Sequence, residues 1–446
     1  MNYSIFGPEE LIEEGLVEVP LSKSVANRAL VLAALTPGAP APRCPECTDT
    51  AMLHDSLTTL AATRGADGKV FINVDNCGTG MRFLTAFVAA NEGMAAEITG
   101  SERMSERPIG PLVEALRSCG AEIEYLGREG YPPLFVRGRK LRGGNVTVDA
   151  TVSSQFVSAL LMVAPLMEQG LTVNLDGEPV SAPYIGLTLD MMDRRGVPSE
   201  RSPLSISVLP GAYRPVAEDD AEGDWSAAAF FYELTAVTAG WITVKGLNPA
   251  SLQGDARAVN YFSQLGVVTE PSEEVPGALD LQPSPEVFGR LDLDLSDTPD
   301  LAPSLAVCAA LLGVPFRLVG LKGLAIKECD RLAAIVSELD KIGVVCERIR
   351  DYGIEWDGKR HPVVSFPAFD PHGDHRLAMA LAPAGVFIPG AVVRDVECVE
   401  KSFPGYWDAL RSLGFTLLEC VINDEGRITA PDGSPLVAPS QEGGDE

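Results

Sequence analysis

Lys23, Arg28, Arg82, Arg376 and the serine pair Ser153 and Ser154 all fall at or near the start of an apolar segment rich in small residues. If those segments are helices, each opens with unpaired backbone N–H groups and the positive end of its dipole. Several such starts gathered around one space would trap an anion, and lysine and arginine side chains add full charges to it. Lysine is a compact, mobile cation suited to phosphate; arginine offers a planar fork that meets carboxylate or phosphate with two hydrogen bonds. The set points to a substrate rich in phosphate or carboxylate. Taken singly, the strings decide little. SKSVANR alone reads as a capping serine with solvated cations, and the serine pair as an N-cap. NCGTGMR lacks the third glycine of a dinucleotide fingerprint.

The segments that must position these residues recur. Six evenly apolar stretches, SKSVANRALVLAAL, GTGMRFLTAFVAA, SSQFVSALLMVAPL, DWSAAAFFYELTAV, PDLAPSLAVCAALL and GDHRLAMALAPAG, alternate with more amphipathic ones. Each amphipathic segment closes on a glycine followed by an apolar residue and a strand-like run, the glycines being Gly65, Gly120, Gly196, Gly266, Gly343 and Gly414. Such recurrence marks one building block copied about six times. Each copy reads as a buried helix, a surface helix and strands, three copies before about residue 222 and three after it. Junctions fall near Val17–Pro20 and in the acidic stretch Asp219–Trp225. If the N-terminal segment pairs with the second half, the chain crosses between halves twice, side by side, and the crossings act as a hinge.

At 446 residues and 46% hydrophobic content the chain buries large cores, in roughly two to three domains. The formal charge, 35 − 62 = −27, argues against nucleic acid or an anionic membrane surface as partner. An anionic substrate then requires basic residues concentrated in one cleft of an otherwise acidic surface. Nine cysteines, an odd number scattered through segments such as AVCAALL and VVCERI, read as reduced core thiols of a cytoplasmic protein. Cys44 and Cys47 form a lone CPEC without a second pair or histidine at zinc spacing, so no metal is expected. The start, MNYSIFGPEELIEEG, lacks the pattern of a signal peptide, and FVSALLMVAPLM is too short to span a bilayer. Residues 431–446, rich in proline, glycine and acid, are expected to be disordered.

Ten strings stand in order from end to end: PLSKSVANRALVLAAL, NCGTGMRFL, ERPIGPLVEAL, VSSQFVSALLM, SAPYIGLTLDMM, EGDWSAAAFF, DTPDLAPSLAV, IKECDRLAAI, GDHRLAMA and EKSFPGYWDAL. That series resembles the 5-enolpyruvylshikimate-3-phosphate (EPSP) synthase family over about residues 17 to 415. Each string alone is weak, but neither chance nor a shared fold explains their order. The resemblance implies an α/β fold of two domains, an inverted α/β barrel built from six βαβαββ repeats, three per domain. Residues 19–223 would form the first, on the shikimate 3-phosphate side, and residues 1–18 with 224–430 the second. It implies transfer of the enolpyruvyl group of phosphoenolpyruvate to the 5-hydroxyl of shikimate 3-phosphate, with release of phosphate. No cofactor, nucleic acid or membrane is implied; the expected protein is a cytoplasmic monomer whose partners are those two small molecules.

Carried over position by position, the resemblance implies that Lys23, Ser24 and Arg28 hold the two anionic substrates. Gly78 and Thr79 let backbone approach phosphoenolpyruvate with Arg82 behind them, and Arg107 binds its phosphate. Ser153, Ser154 and Gln155 hold shikimate 3-phosphate, Gln155 bridging both substrates, with Ser181 and Tyr184 beside them. From the second half, Asp300 takes the proton of the 5-hydroxyl and Lys327 contacts shikimate 3-phosphate. Glu328 is acid and base at C3 with Lys23 assisting, while Arg331, Arg376 and Lys401 bind phosphoenolpyruvate. In KECDR the spacing puts residues 327, 330 and 331 on one helical face, which alone would read as a surface salt-bridge ladder. Neither half by itself neutralises both substrates, so the cleft is expected to close on them.

Four positions depart from the family pattern: Leu21 replaces a glycine, Phe83 a proline after Arg82, Gly323 an asparagine and Ala325 an arginine. Phe83 is expected to shift its loop; loss of the asparagine removes one neutral hydrogen bond, about 0.5–1.5 kcal/mol. The nearest alternative, UDP-N-acetylglucosamine enolpyruvyl transferase, shares repeat and chemistry but carries a reactive cysteine in a flexible loop. No cysteine here has that setting, and SSQ, SAPY and KECDR favour the shikimate enzyme. A non-catalytic anion binder needs cations, but not Lys23, Asp300 and Glu328 together.

Overall fold

Alanine, valine and leucine on every side make a helix that must be surrounded, whereas a one-sided apolar stripe makes one that lies on a surface. The computed structural model describes residues 1–65, 68–217, 220–363, 366–423 and 426–436, and its helices alternate between these two kinds. They are α1 (Lys23–Ala34) and α2 (Thr48–Ala62), α3 (Gly78–Ala90) and α4 (Gly110–Ser118), α5 (Ser154–Val163) and α6 (Ala182–Arg194). There follow α7 (Trp225–Thr238) and α8 (Ala258–Phe262), α9 (Ala302–Leu312) and α10 (Arg331–Asp340), α11 (His375–Leu381) and α12 (Tyr406–Ser412). The odd-numbered helices are the evenly apolar segments. In α3 every residue but Thr79 is buried, and α11 is buried throughout. In α4, by contrast, Leu112, Val113, Ala115 and Leu116 are buried while Glu114 and Arg117 face solvent.

The sheets repeat one strand order, in which two parallel strands are followed by two antiparallel ones. Val70–Asn73 runs parallel to Ala95–Thr99, which pairs antiparallel with Leu134–Arg137, which pairs antiparallel with Glu122–Tyr125. The same order holds for Gly144–Asp149, Leu171–Asp176, Ser205–Val208 and Ser199–Ser202, and for Leu291–Asp294, Phe316–Val319, Gly353–Trp356 and Glu347–Ile349. Two further sheets take a strand from the N-terminus. Gly15–Glu18 lies parallel to Ile242–Lys245, and Asn2–Phe6 is inserted between Ala391–Val393 and Thr416–Ile422. The result is an α/β fold with mixed sheets.

All six helix-closing glycines have positive φ, between +79° and +101°. After α10 the reason is explicit: Gly343 N–H donates to Asp340 O at 2.9 Å and Val344 N–H to Leu339 O at 3.1 Å. This left-handed cap also buries Val344 completely. α4, α6 and α12 end in the same pair of bonds. Gly266 is different; it sits inside the strand Leu265–Pro271, where the register shifts between Leu265 and Val267.

Two hydrophobic cores result, one from residues between 25 and 213, the other from residues 3–19 together with residues between 225 and 415. The chain passes between them twice at one place. Val19 N–H donates to Lys245 O (3.2 Å), Ser22 N–H to Glu222 O (2.8 Å) and Asp224 N–H to Pro20 O (2.9 Å), so the two passages lie against each other. Asp219 of the acidic junction lies outside the described residues, as do residues 437–446 of the tail; Pro435 bridges back to Thr429. Among the described residues no helix is long and apolar enough to cross a membrane.

One buried group works against the fold. Glu233 in the middle of α7 is fully buried, and neither carboxylate oxygen has a hydrogen-bond partner among the described residues. Burial holds its carboxyl well above the usual range and so favours the neutral acid. A folded-state pKa above the unfolded value of about 4.3 means stability is intact below the latter and is lost as pH rises through the former. Glu233→Leu is therefore expected to raise stability by about 1–3 kcal/mol, the cost of an unpaired buried polar group. The gain should grow in thermal unfolding as pH rises above the unfolded carboxyl's range, and a gain independent of pH would refute a neutral buried acid.

Candidate active site

First turns of α1, α3, α5 and α6 line a cavity of about 850 Å³ together with Asp300, just ahead of α9, and Lys327, ahead of α10. Ser24, Ser153 and Ser154 all face it. Arg28 reaches in from α1, its guanidinium carbon 5.6 Å from the centroid of Phe83 and 5.7 Å from that of Tyr184. Its nitrogens donate to Thr188 Oγ1 (2.7 Å) and Tyr184 O (3.2 Å), and burial lowers it to about 10, so it remains cationic. Phe83 therefore serves as a platform for Arg28, inside the unbroken helix α3. Gln155 Nε2 donates to Thr79 Oγ1 at 3.0 Å. Ser153 Oγ accepts from Gln155 N–H at 3.3 Å, so the capping and the cavity-lining readings of this serine both hold.

Arg107 donates to Asn76 O (3.1 Å) and Asn76 Oδ1 (3.2 Å), and its guanidinium lies directly against Gly78. A Cβ at Gly78 would stand 2.4 Å from Arg107 Nη2, so any larger residue there pushes the guanidinium away. Arg82 turns back on backbone, donating to Gly78 O (3.1 Å) and Pro108 O (2.9 Å); burial and then Arg107 lower it to about 9. Ser181 has φ +54° and donates its N–H to Ser296 O at 2.8 Å.

Arg331 organises the opposite wall. It is 1% exposed and donates to Asp300 (2.7 Å), Glu328 (2.9 Å) and Asp374 (2.5 Å) at once. Lys327 and Arg376 also reach Asp300, at 3.3 and 3.2 Å. Burial alone would raise the Asp300 carboxyl, but Arg376, Lys327 and Arg331 outweigh it and hold it well below the usual range. Glu328 is depressed likewise, burial being outweighed by Arg331, Arg107 and Lys401. The two ionised carboxylates look into different spaces: Asp300 into the first cavity, Glu328 into a second of about 1130 Å³. Clasped by three carboxylates, Arg331 keeps one of its five N–H groups, on Nη1, for a ligand carboxylate.

Contacts across the cleft join the walls. Lys23, the first residue of α1, lies 3.2 Å from Asp49 Oδ2, and Lys401 lies 2.9 Å from Asp49 Oδ1 and 3.0 Å from Asn76 O. Burial opposes the charge on Lys401, but Asp49 and Glu328 prevail and raise it. Arg103 donates to Lys327 O and Ala325 O, both at 3.1 Å.

A sequence model of EPSP synthase (3-phosphoshikimate 1-carboxyvinyltransferase) matches residues 12–410. The chain belongs to that family. It is 41% identical over 418 residues to a 3-phosphoshikimate 1-carboxyvinyltransferase of Bacteroides fragilis, covering 93% of this chain and 98% of that one. A relative of the same name from Methanoculleus marisnigri is 37% identical, covering 89% and 96%. Among solved structures, EPSP synthase from Acinetobacter baumannii superposes with a TM-score of 0.71 at 22% identity, over 94% of this chain and 100% of that chain, a likeness of fold.

Set against this EPSP synthase family member's sequence, the structure corrects one expectation. Residues 327–330 are not helical: α10 begins at Arg331, and Asp330 is its N-cap, accepting from Ala333 N–H at 3.2 Å and pairing with Arg348 at 2.7 Å. Lys327 and Arg331 still meet, at Asp300, but by a turn of the chain rather than along a helix face. Sequence reasoning also passed over Asp49, Asn76, Arg103, Asp374 and His375. The last is buried with neither ring nitrogen hydrogen-bonded among the described residues, and burial, then Lys23 and Arg376, hold it neutral.

Proposed function

We propose that this chain transfers the enolpyruvyl group of phosphoenolpyruvate to the 5-hydroxyl of shikimate 3-phosphate by addition and elimination, at the cleft just described. The observation that carries the reading is the pair of ionised carboxylates, Asp300 and Glu328, held apart by Arg331 and facing separate cavities lined with cations. Two acids in different surroundings divide proton traffic between two reacting atoms. Asp300 accepts the proton of the 5-hydroxyl. Glu328, with Lys23 assisting, gives a proton to C3 of phosphoenolpyruvate and later removes one. Arg331, Arg107 and Lys401 keep Glu328 ionised, and a substrate phosphate and carboxylate bound to those three cations offset what depresses it. Its pKa then rises toward that of a working acid.

Shikimate 3-phosphate is held by Lys23, Ser24, Arg28, Ser153, Ser154, Gln155, Ser181, Tyr184, Asp300 and Lys327. Phosphoenolpyruvate is held by Lys23, Gly78, Thr79, Arg107, Gln155, Arg331, Arg376 and Lys401. These groups sit on a two-domain inverted barrel of six βαβαββ repeats, residues 19–223 forming one domain and residues 1–18 with 224–430 the other. The enzyme works as a cytoplasmic monomer without a cofactor, in the route to aromatic amino acids. A UDP-N-acetylglucosamine acceptor is disfavoured because burial raises both thiols that line the second cavity, Cys77 and Cys398, making them poor nucleophiles. Phosphate release assayed with phosphoenolpyruvate is expected only when shikimate 3-phosphate is added. Release with UDP-N-acetylglucosamine alone, or with neither acceptor, would overturn the assignment.

A further inference from the structure

Where the two passages between the cores touch, a single amide ties them together. Gln253 is 3% exposed, and its side chain makes four hydrogen bonds, all to the crossing segments. Its Oε1 accepts from Ser22 Oγ (2.9 Å) and Trp225 N–H (3.2 Å), and its Nε2 donates to Glu222 Oε1 (2.8 Å) and Gly223 O (2.8 Å). Every donor and acceptor of the amide is used. Glu222 is fixed in turn by Ser251 Oγ (2.7 Å) and Asn248 Nδ2 (2.9 Å). Ser22 is the N-cap of α1, yet its hydroxyl caps nothing in its own helix and is spent on Gln253. The next residue is Lys23.

The turn that carries Gln253 also touches the rest of the cleft. At Gly254 a Cβ would lie 2.9 Å from Asp297 O and 3.1 Å from Pro183 Cγ, so the backbone is wedged between the loop leading to Asp300 and the first turn of α6. Asp255 accepts from Ser226 Oγ at the start of α7, and Arg257 pairs with Asp297 at 2.8 Å. One five-residue turn, Gly254–Arg257 with Gln253 as its cap, thus contacts both passages and both walls.

We propose that Gln253 is a positioning residue: it couples the angle between the two halves to the placement of Lys23, so that closure of the cleft aligns the lysine for the reaction. A rotation about the passages must pass through the only side chain among the described residues that is bonded to Ser22, Glu222, Gly223 and Trp225 together. The proposal rests on the role given to Lys23 above, and on nothing remote from the crossing.

The test uses Gln253→Glu, Glu222→Gln, the two combined, and Ser22→Ala, each in the full chain. Gln253→Glu sets a second carboxylate against Glu222 and is expected to lower kcat on the order of tenfold or more while changing KM for shikimate 3-phosphate less than about twofold. The combination restores a donor–acceptor pair and should recover most of the lost kcat. Ser22→Ala removes one hydrogen bond without a buried charge and should give a smaller loss of kcat, on the order of a few-fold, which Gln253→Glu does not add to in full. A kcat unchanged in Ser22→Ala, or no recovery in the combined variant, overturns the proposal, and so does a Gln253→Glu that lowers only the melting temperature. Lys23→Met is run alongside: if it is fully active, the reading of Lys23 fails, whereas an inactive Lys23→Met without the predicted recovery defeats only the coupling.

Discussion

Replacing Lys23 by methionine is expected to lower turnover about 10²–10⁴-fold with little change in melting temperature. Methionine keeps the unbranched stem and removes the charge at the point where α1 begins. The fold should survive because the lysine's partner, Asp49, retains its second cation, Lys401 at 2.9 Å. No buried carboxylate is thus left alone, which is what makes the removal of one partner from an ion pair costly. Steady-state kinetics with both substrates varied, beside thermal unfolding of the same preparation, decide it. Turnover within about fivefold of the parent would place Lys23 outside the reaction.

Glu328→Gln is expected to lose about 10²–10⁴-fold in turnover while still binding shikimate 3-phosphate. Glutamine matches the shape and still accepts from Arg331, which keeps Asp300 and Asp374 as counter-charges. What it cannot do is carry a proton to and from carbon. Addition and elimination make the CH2 of phosphoenolpyruvate a transient methyl, so turnover in heavy water should place deuterium at C3 of the product. An active parent that forms product without deuterium would refute the addition–elimination route. A fully active Glu328→Gln whose product does carry deuterium would move the proton to another group, with the neutral His375 the neighbour to test next.

The repeating unit was legible because it rests on local chemistry. A glycine that must adopt positive φ, followed by an apolar residue that must be buried, marks Gly120, Gly196, Gly343 and Gly414 whatever lies around them. The evenly apolar helices were legible because nothing but burial explains them. KECDR misled because i, i+3 and i+4 spacing is compatible with a helix without requiring one, and Asp330 is also a good N-cap. Asp49 was illegible for a related reason. In the first turn of α2 an aspartate reads as a partner of the helix dipole, and only the fold reveals Lys23 and Lys401 on either side of it. The use made of Phe83 was illegible because the sequence does not show Arg28 lying on its ring.

The insertion of Asn2–Phe6 between Ala391–Val393 and Thr416–Ile422 bears on how the protein can be made. This strand leaves the ribosome long before its partners, Asn2 bonding to Cys420 across 418 residues. At a synthesis rate of about 5–20 residues per second, that strand waits roughly 20–80 s for a place to go. Its alternating apolar residues Tyr3 and Ile5 are exposed meanwhile, together with an unpaired backbone edge on each side. The core drawn from residues 25–213 needs nothing from either terminus and can fold during the wait. Folding order therefore departs from chain order, the core of residues 25–213 maturing before the strand that precedes it.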